Sequence, residues 1–281
     1  MIKHTIKRLA NHFGYQVSRI QPQVAPTPVP APAPATSINA DDFHLLPKAG
    51  ITYSHDLLYT FHNCDFIQEP KFRASYNLGR ATDVNNTVLH GDNEIYWRIH
   101  VLCWAAAHAA KLEGDFVDCG VNTGIFSRAI INYTDFNATG KKYYLLDTFT
   151  GLDPRYSTEQ ELAQDLNKNY IENRHTLYDQ VLETFRGFNV KIIKGAVPDV
   201  LPQADTERIA FLSIDMNCVQ PEVDALEFFW DKMVSGGIII LDDYGYGNVH
   251  NDQKIAHDAF AASKGVEILT LPTCQGMMIK P

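Results

Sequence analysis

The stretch Gly114-Asp-Phe-Val-Asp-Cys-Gly-Val-Asn-Thr-Gly124 decides the fold of this chain. Its apolar residues Phe116, Val117 and Cys119 predict a short buried strand, and the segment 125–131 after it has helical spacing. Glycine lets the backbone bend sharply and lets a ligand approach closely. The stretch therefore predicts a strand, a glycine turn and a helix whose free N–H groups point toward a ligand.

Further apolar segments of strand length follow this unit, and helical patterns separate them. Strands that alternate with helices form parallel sheets with right-handed crossovers. The pattern therefore predicts an α/β fold with a doubly wound, mostly parallel seven-stranded sheet and an N-terminal helical cap. The predicted strands after the first are 142–147, 190–195, 208–215 and 237–243, with a closing hairpin of 266–271 and 276–280.

The domain boundaries follow from composition. Residues 1–20 place apolar side chains three or four apart and carry four cationic side chains, which predicts a basic amphipathic helix. Residues 21–40 form a Pro/Ala-rich linker, and 41–281 form one domain, with the cap at 41–112 and the α/β core at 113–281. The first helix lies on an anionic membrane face or docks on a partner, such as a membrane-bound glycan-assembly complex. The alternative is that it packs on the body of the protein or on a second subunit.

Two segments beside the core carry weaker signals. In the cap we expect helices at 56–61 and 94–111, the second capped by Asn93, with an irregular polar piece at 73–83 between them. The crossover 153–189 has helical patterns at 159–173 and 176–186. Long connections often serve as lids or binding loops, so we expect the crossover to form part of an acceptor site.

Composition limits the classes of partner and compartment. The formal net charge of −9 disfavours nucleic acid as a partner. Five scattered cysteines without a Cys-x-x-Cys pair disfavour a disulfide scaffold or a zinc site. The apolar runs are too short to cross a bilayer. We therefore expect a cytoplasmic protein. If residues 1–20 bind a membrane, they would place it at the inner face. The sequence leaves open whether the protein forms a homo-oligomer.

A cofactor site is predicted at the ends of the first strands. Asp118 lies two residues before the first glycine, which suits a ligand with an amine or hydroxyls. Asp147 ends the next predicted strand, where nucleotide-binding α/β folds place an acid that accepts hydrogen bonds from ribose hydroxyls. A dinucleotide is disfavoured because Asn122 stands where the dinucleotide fingerprint requires glycine. The candidate cofactor residues are Asp118, Gly120, Asn122, Gly124, Asp147, Thr148, Gly195 and Ala196.

Three acids end two further predicted strands. Asp215 ends one, and Asp242 and Asp243 end the next. Carboxylates at the same sheet edge repel one another unless a cation lies between them. Mg²⁺ prefers oxygen ligands, so the sequence predicts a magnesium site formed by these three acids. The alternative is that Asp242 and Asp243 only cap the strand and the following turn.

These motifs together resemble a known family. The spacing Asp118-x-Gly120-x-x-x-Gly124 is similar to the first motif of class I S-adenosylmethionine (SAM) methyltransferases. The segments 114–121, 146–152, 212–215 and 236–245 resemble, in order and rough spacing, the macrocin O-methyltransferase family. The match runs from about 114 to 260. It departs after Asp215, where Met-Asn-Cys-Val-Gln-Pro replaces a Gly-Asp-Met-Tyr-Glu-Ser type of run, and this puts the acceptor in doubt.

The resemblance implies a Rossmann-like fold and a SAM- and Mg²⁺-dependent transfer of methyl to a sugar hydroxyl. By position it implies that Asp215, Asp242 and Asp243 are metal ligands, that Asp215 is also the catalytic base, and that Asp147 contacts the ribose. His250, just past the acids, is a second candidate base. Two alternatives remain: a methyltransferase for a non-sugar small molecule, and a non-catalytic SAM-binding module tethered through its first helix. The sequence identifies neither the acceptor nor the position methylated.

Overall fold

The structure is a computed structural model that describes residues 49–84, 89, 93–163, 174–246 and 251–281. The predicted helix 1–20 and linker 21–40 lie outside these residues. The described strands are β1 Tyr53–His55, β2 Leu58–Thr60, β3 Asp115–Cys119, β4 Tyr143–Asp147, β5 Val190–Lys194, β6 Ile209–Ile214, β7 Met233–Leu241, β8 Leu269–Thr270 and β9 Gly276–Ile279. The α-helices are α1 Pro70–Arg80, α2 Tyr96–Ala109, α3 Ile125–Thr134, α4 Glu159–Ala163, α5 Arg174–Thr184, α6 Val219–Trp230 and α7 Asn251–Lys264.

The central sheet has seven strands in the described part of the chain, in the order β5-β4-β3-β6-β7-β9-β8. The strands β5, β4, β3, β6 and β7 are parallel to their neighbours, and β9 pairs antiparallel with both β7 and β8. The predicted α/β class, strand count and closing hairpin are therefore confirmed. Because β3, β6 and β7 are adjacent, the predicted glycine turn and the three acids meet at one edge.

Helices cover both faces of the sheet, so the inner parallel strands β3, β4 and β6 are buried on both sides. Side chains alternate along β3, with Val117 and Cys119 on the face covered by α6 and α7, and Phe116 on the face covered by α2, α3 and α5. The strand β6 is buried along its whole length. Burying an aliphatic or aromatic side chain contributes about 1.5–3 kcal/mol, and this core therefore provides a rigid base for the residues at the strand ends.

The cap differs from the prediction at 56–61, where the structure has a β-hairpin instead of a helix. Asp56 and Leu57 form its two-residue turn, with φ angles of 52° and 59°. Two left-handed residues fit the twist of a tight hairpin. The turn is held from outside, since Arg98 binds the Asp56 carboxylate and Asn93 Oδ1 accepts a 3.0 Å bond from the Asp56 N–H. Asn93 therefore does not cap α2, whose N-cap is Ile95.

The segment 73–83 is also ordered where an irregular piece was predicted. Most of it belongs to α1, which begins with Pro70 at a position where proline is tolerated. Phe72, Ser75, Tyr76 and Gly79 are buried and recur at helical spacing. A Cβ on Gly79 would lie 2.5 Å from the Ile125 carbonyl oxygen, so α1 and α3 approach closely only because this residue is glycine.

The second predicted cap helix is confirmed as α2. Its buried residues recur at helical spacing and include Ile95, Ile99, Leu102, Ala106 and Ala109. In the crossover 153–189 the structure describes α4 and α5 but not 164–173. None of the described helices is both long and apolar enough to cross a membrane.

Candidate functional site

Asp147 at the end of β4 fixes the glycine turn that follows β3. Its Oδ2 accepts 2.7 Å hydrogen bonds from the backbone N–H groups of Val121 and Asn122, and its Oδ1 accepts a 2.5 Å bond from Phe149 N–H. Burial raises the pKa of Asp147, and these backbone N–H donors oppose the rise. Asp147 therefore holds the glycine turn, and the ribose hydroxyl that it was predicted to contact would have to share or replace one of these bonds.

Gly120 is required by packing as well as by the turn. Its φ of 93° lies in the left-handed region, and a Cβ would collide with the backbone carbonyl of Asp215. The end of β3 therefore lies directly against the loop after β6. Gly124, with a φ of 92°, is the N-cap of α3, and a Cβ there would lie 2.7 Å from the Phe185 ring. Packing therefore explains Gly124, which lines neither of the two pockets described below.

Asp118 departs from the prediction that it contacts the cofactor. It is 1% exposed, and its carboxylate accepts a hydrogen bond from the Ser127 hydroxyl in α3. Asp118 lines neither of the two pockets described below. Burial raises its pKa to about 7. The alternation of side chains along β3 directs residue 118 to the sheet face that α3 covers. Asp118 therefore joins β3 to α3 inside the core.

The first pocket, here called the turn pocket, lies over the carboxyl ends of β3, β4 and β5. Six predicted cofactor residues line it: Gly120 and Asn122 from the turn, Asp147 at the end of β4 with Thr148 after it, and Gly195 and Ala196 after β5. The walls also include the apolar side chains Phe149, Leu152, Leu177, Val197 and Met216. A small number of polar groups among apolar walls is typical of a cofactor site.

The described part of the crossover contributes to this pocket and not to the acid cluster. Asp153 and Leu177 line the turn pocket, and Glu161 accepts a 2.8 Å bond from Val219 N–H at the start of α6. The prediction that the crossover belongs to an acceptor site is therefore not supported by its described residues. The start of α4 could have been predicted from the sequence Thr158-x-x-Glu161, which forms a capping box in the structure.

The three predicted metal ligands come together. One carboxylate oxygen from each of Asp215, Asp242 and Asp243 lies within 4.8 Å of the other two. Burial and the neighbouring Asp242 raise the pKa of Asp215 well above its usual range, and burial followed by Asp242 raises that of Asp243 to about 7. The three carboxyl groups therefore disfavour one another's ionised form in this buried setting.

A cation that the sequence reasoning missed lies beside the cluster. Arg98 of α2 is 7% exposed and forms ion pairs of 2.5 Å with Asp242, 3.3 Å with Asp243 and 2.7 Å with Asp56. Desolvation alone would lower the pKa of Arg98, but Asp242 and Asp243 outweigh it and raise that pKa well above its usual value. A sequence signal existed, since Arg98 interrupts the apolar face of α2 beside Ile95 and Ile99.

Neighbouring polar side chains orient the acids and the loop that begins at Asp215. Gln275, just before β9, donates a 2.9 Å bond from Nε2 to Asp242 Oδ1. Glu222 in the first turn of α6 accepts 3.0 Å and 2.9 Å bonds from Met216 N–H and Gln253 Nε2, and so fixes the loop that begins at Asp215. Asn217 Nδ2 donates a 3.2 Å bond to Asp215 Oδ1. Sequence spacing gave no sign of Gln275 or Glu222, because each reaches its partner from another element.

The second pocket, here called the acid pocket, contains the carboxylates and Arg98. Its other walls come from the hairpin turn, the start of α2, the start of α3 and the segment after β7: Asp56, Leu89, Asn93, Ile95, Val121, Thr123, Ile125, Phe126 and Tyr246. Gly120, Asn122, Asp215 and Asn217 line both pockets. The two pockets therefore adjoin at the glycine turn and the loop after β6. His250, the second candidate base, lies outside the described residues.

Sequence comparison assigns this architecture to a family. The sequence model of Macrocin-O-methyltransferase (TylF) matches residues 98–270, more than half of the chain. The chain belongs to the macrocin O-methyltransferase family. The match includes Arg98, the glycine turn, Asp147 and all three acids of the cluster, so every side chain that joins the turn pocket to the acid pocket lies inside it.

Two curated proteins show how far the sequence similarity extends. The 8-demethyl-8-(2,3-dimethoxy-alpha-L-rhamnosyl)-tetracenomycin-C 4'-O-methyltransferase of Streptomyces olivaceus is 29% identical over 153 residues, covering 50% of this chain and 57% of that protein. Mycinamicin III 3''-O-methyltransferase of Micromonospora griseorubida is 24% identical over 153 residues, covering 50% and 59%. This chain thus matches somewhat over half the length of either relative.

Solved structures show the same fold. The O-methyltransferase NovP superimposes with a TM-score of 0.54 and 21% identity, covering 65% of this chain and 79% of that one. The calicheamicin methyltransferase CalS11 gives a TM-score of 0.52 at 14% identity, covering 78% and 94%. The fold is that of class I methyltransferases, as the sequence motifs predicted.

Proposed function

We propose that this protein transfers a methyl group from SAM to a hydroxyl of a sugar or of a glycosylated metabolite, with the help of a divalent ion. The observation that carries the proposal is the junction of the two pockets at Gly120, Asn122, Asp215 and Asn217. A donor in the turn pocket and an acceptor in the acid pocket would meet at Asp215. Methyl transfer requires such a meeting because it is an in-line displacement, in which orientation contributes much of the rate.

The turn pocket fits SAM in its donor set. Phe149, Val197 and Leu177 offer apolar surface for an adenine ring, and Asp147 and Thr148 offer oxygens for ribose hydroxyls. A carboxylate at the end of the second strand of the α/β unit is the usual acceptor for those hydroxyls. Asp147 is already fixed by backbone N–H groups, so it would meet the ligand in a set orientation.

The acid pocket fits a hard divalent ion in its donor chemistry. Asp215, Asp242 and Asp243 offer oxygens at close range, and Mg²⁺ is bound by oxygens and retains positions for water or substrate. The described ion pairs of Arg98 reach Asp242, Asp243 and Asp56, so one guanidinium is shared among three carboxylates. When bound, the ion would supply Lewis-acid polarisation of an acceptor hydroxyl and hold it in place.

Asp215 is the residue best placed to accept the proton of the acceptor hydroxyl. It alone among the three acids lines both pockets. Asn217 donates to its Oδ1, which keeps the carboxylate oriented at the junction. General-base assistance of this kind typically contributes 10²–10⁴-fold, roughly, to the rate.

The remaining walls of the acid pocket favour a sugar. Carboxylates and Asn93 can bond to hydroxyls, while Tyr246, Ile95 and Phe126 offer apolar surface to the face of a ring. One relative carries a rhamnosyl group in the name of its substrate, which supports the same class here. A non-sugar hydroxyl acceptor is the alternative within this reaction.

The test is release of S-adenosylhomocysteine from SAM with a panel of glycosylated metabolites and of non-sugar phenols and alcohols. We expect release with a glycosylated acceptor, loss of release in a chelator, and recovery on adding Mg²⁺. Asp215→Asn should bind SAM normally and turn over at least about a hundredfold more slowly. Binding of SAM without release from any acceptor would favour the tethered binding module instead.

A further inference from the structure

Arg98 bridges the acid pocket and the hairpin of β1 and β2. Its guanidinium gives Nη1 to Asp242 and Asp243, and gives Nε and Nη2 to the two carboxylate oxygens of Asp56 at 2.7 Å and 3.3 Å. Its carbon Cζ lies 5.4 Å from the centre of the Tyr246 ring. The side chain is therefore shared between the carboxylates that would hold an ion and the hairpin turn.

The oxygens of Asp242 are already engaged by protein donors. Oδ1 accepts the bond from Gln275, and Oδ2 accepts the 2.5 Å bond from Arg98. Asp243 Oδ1 accepts a 3.3 Å hydrogen bond from the same guanidinium. A divalent ion bound to these carboxylates would compete with the Arg98 guanidinium for the same oxygens. The two positive charges would repel each other strongly, because the site is buried and water screens the charges only weakly.

We propose that Arg98 is a built-in counter-cation that competes with the divalent ion for Asp242 and Asp243, so that ion binding shifts the guanidinium toward Asp56. This rests on the proposed ion site. Arg98 acts through the carboxylates and is a positioning residue. It stabilises the ion-free protein, lowers ion affinity and so keeps the ion exchangeable.

The hairpin turn is the element that this exchange would affect. Leu57 is a non-glycine residue in left-handed backbone, which is costly unless its surroundings hold it. The described contacts that hold the turn from outside the hairpin are Arg98 at the Asp56 carboxylate and Asn93 at the Asp56 N–H. Since Asp56 and Asn93 line the acid pocket, a stronger pairing of Arg98 with Asp56 would fix this wall of the pocket.

The test is titration calorimetry of Mn²⁺ into full-length protein stripped with a chelator. Arg98→Gln removes the competing charge, so we expect Mn²⁺ to bind about tenfold more tightly than to the natural protein. The same variant should unfold at a lower temperature without Mn²⁺ and gain more from its addition. Arg98→Lys keeps the charge and should retain the natural affinity within about threefold. Arg208→Gln is the matched control, because Arg208 pairs with Glu113 near the start of β3 and should leave the affinity unchanged.

A second variant keeps the test informative if Arg98→Gln does not fold. Asp56→Asn removes the carboxylate that holds Arg98 at the hairpin, so the guanidinium pairs more strongly with Asp242 and Asp243. Mn²⁺ binding should then weaken about tenfold, although residue 56 is not among the three clustered acids. The inference is overturned if Arg98→Gln binds Mn²⁺ no more tightly than the natural protein, or if Asp56→Asn binds it equally tightly. In either case, Mn²⁺ binding by the natural protein would leave the proposed function standing. Binding by none of the forms overturns both.

Discussion

Gln275 Nε2 lies 2.9 Å from Asp242 Oδ1, and both side chains are buried. The Gln275 Oε1 atom in turn accepts a 2.8 Å bond from the Thr273 hydroxyl. The orientation of Asp242 is therefore set by a loop that comes more than thirty residues later and by Arg98 from the cap. The acid cluster depends on three separate parts of the chain.

Gln275→Leu should destabilise the protein and weaken ion binding. The change leaves a buried charged acceptor without its donor, which typically costs about 1–3 kcal/mol. Denaturant unfolding and Mn²⁺ titration measure the two effects. Gln220→Leu is the matched control, since Gln220 makes a similar 2.8 Å bond to Asp224 but is exposed, and it should change neither quantity measurably. Equal effects of the two substitutions would contradict the role of Gln275.

Asp147→Asn should weaken SAM binding at least about tenfold, or 1.4 kcal/mol. Asparagine keeps one accepting oxygen, so its NH2 group must face either the N–H groups of Val121 and Asn122 or the N–H group of Phe149, and the bonds on that side are lost. Calorimetry with SAM measures the effect. Asp205→Asn, which alters an exposed pair with Lys191, should bind as the natural protein does. Retained affinity in Asp147→Asn would remove this residue from the site, and tight binding of a nicotinamide dinucleotide would contradict the cofactor.

Asp118→Asn should stabilise the protein progressively more as pH rises from about 4 to 7. Burial raises the folded-state pKa of Asp118 from 3.8 to about 7, so its contribution to stability is fully present below the unfolded pKa and is lost as pH rises through the folded pKa. Each pKa unit corresponds to about 1.4 kcal/mol, so the gain near pH 8 should reach a few kcal/mol. Unfolding free energies of both proteins at pH 5 and pH 8 provide the test. A gain that is equal at the two values would contradict a buried, ionisable Asp118.

The strand ends were predictable from the sequence, and the contacts that support them were not. A parallel sheet brings the carboxyl ends of β3, β6 and β7 to one edge, so strand order alone places Asp215 beside Asp242 and Asp243. Asp118 was misassigned because strand position identifies an edge and not the face on which a side chain lies.

The cap was harder to predict for a different reason. The turn at Asp56 is stabilised by Arg98 and Asn93, which are distant in sequence. Helical propensity depends on neighbouring residues only, so it cannot predict a turn that distant residues stabilise. The helix α1 was concealed by its polar outer face and Gly79, although its buried residues Phe72, Tyr76 and Gly79 keep helical spacing. Tertiary contacts thus decided both segments.

The basic stripe of residues 1–20 motivates a separate proposal of membrane association. Its four cationic side chains would contribute about 1 kcal/mol each near an anionic surface, an attraction that salt screens. Deleting 1–36 should leave SAM affinity unchanged and remove sedimentation with phosphatidylserine vesicles at low salt. Neutral phosphatidylcholine vesicles are the control. Full-length protein that ignores anionic vesicles would indicate that the helix packs on protein instead.

The most direct measurement of the central claim is a crystal structure of the full chain with S-adenosylhomocysteine and Mn²⁺, with anomalous scattering used to locate the metal. We expect the nucleoside against Asp147 in the turn pocket, its sulfur facing Asp215, and an anomalous peak at oxygen-ligand distance from Asp215, Asp242 and Asp243. Nucleoside outside the turn pocket, or an acid cluster still paired only with Arg98 at saturating Mn²⁺, would contradict the account.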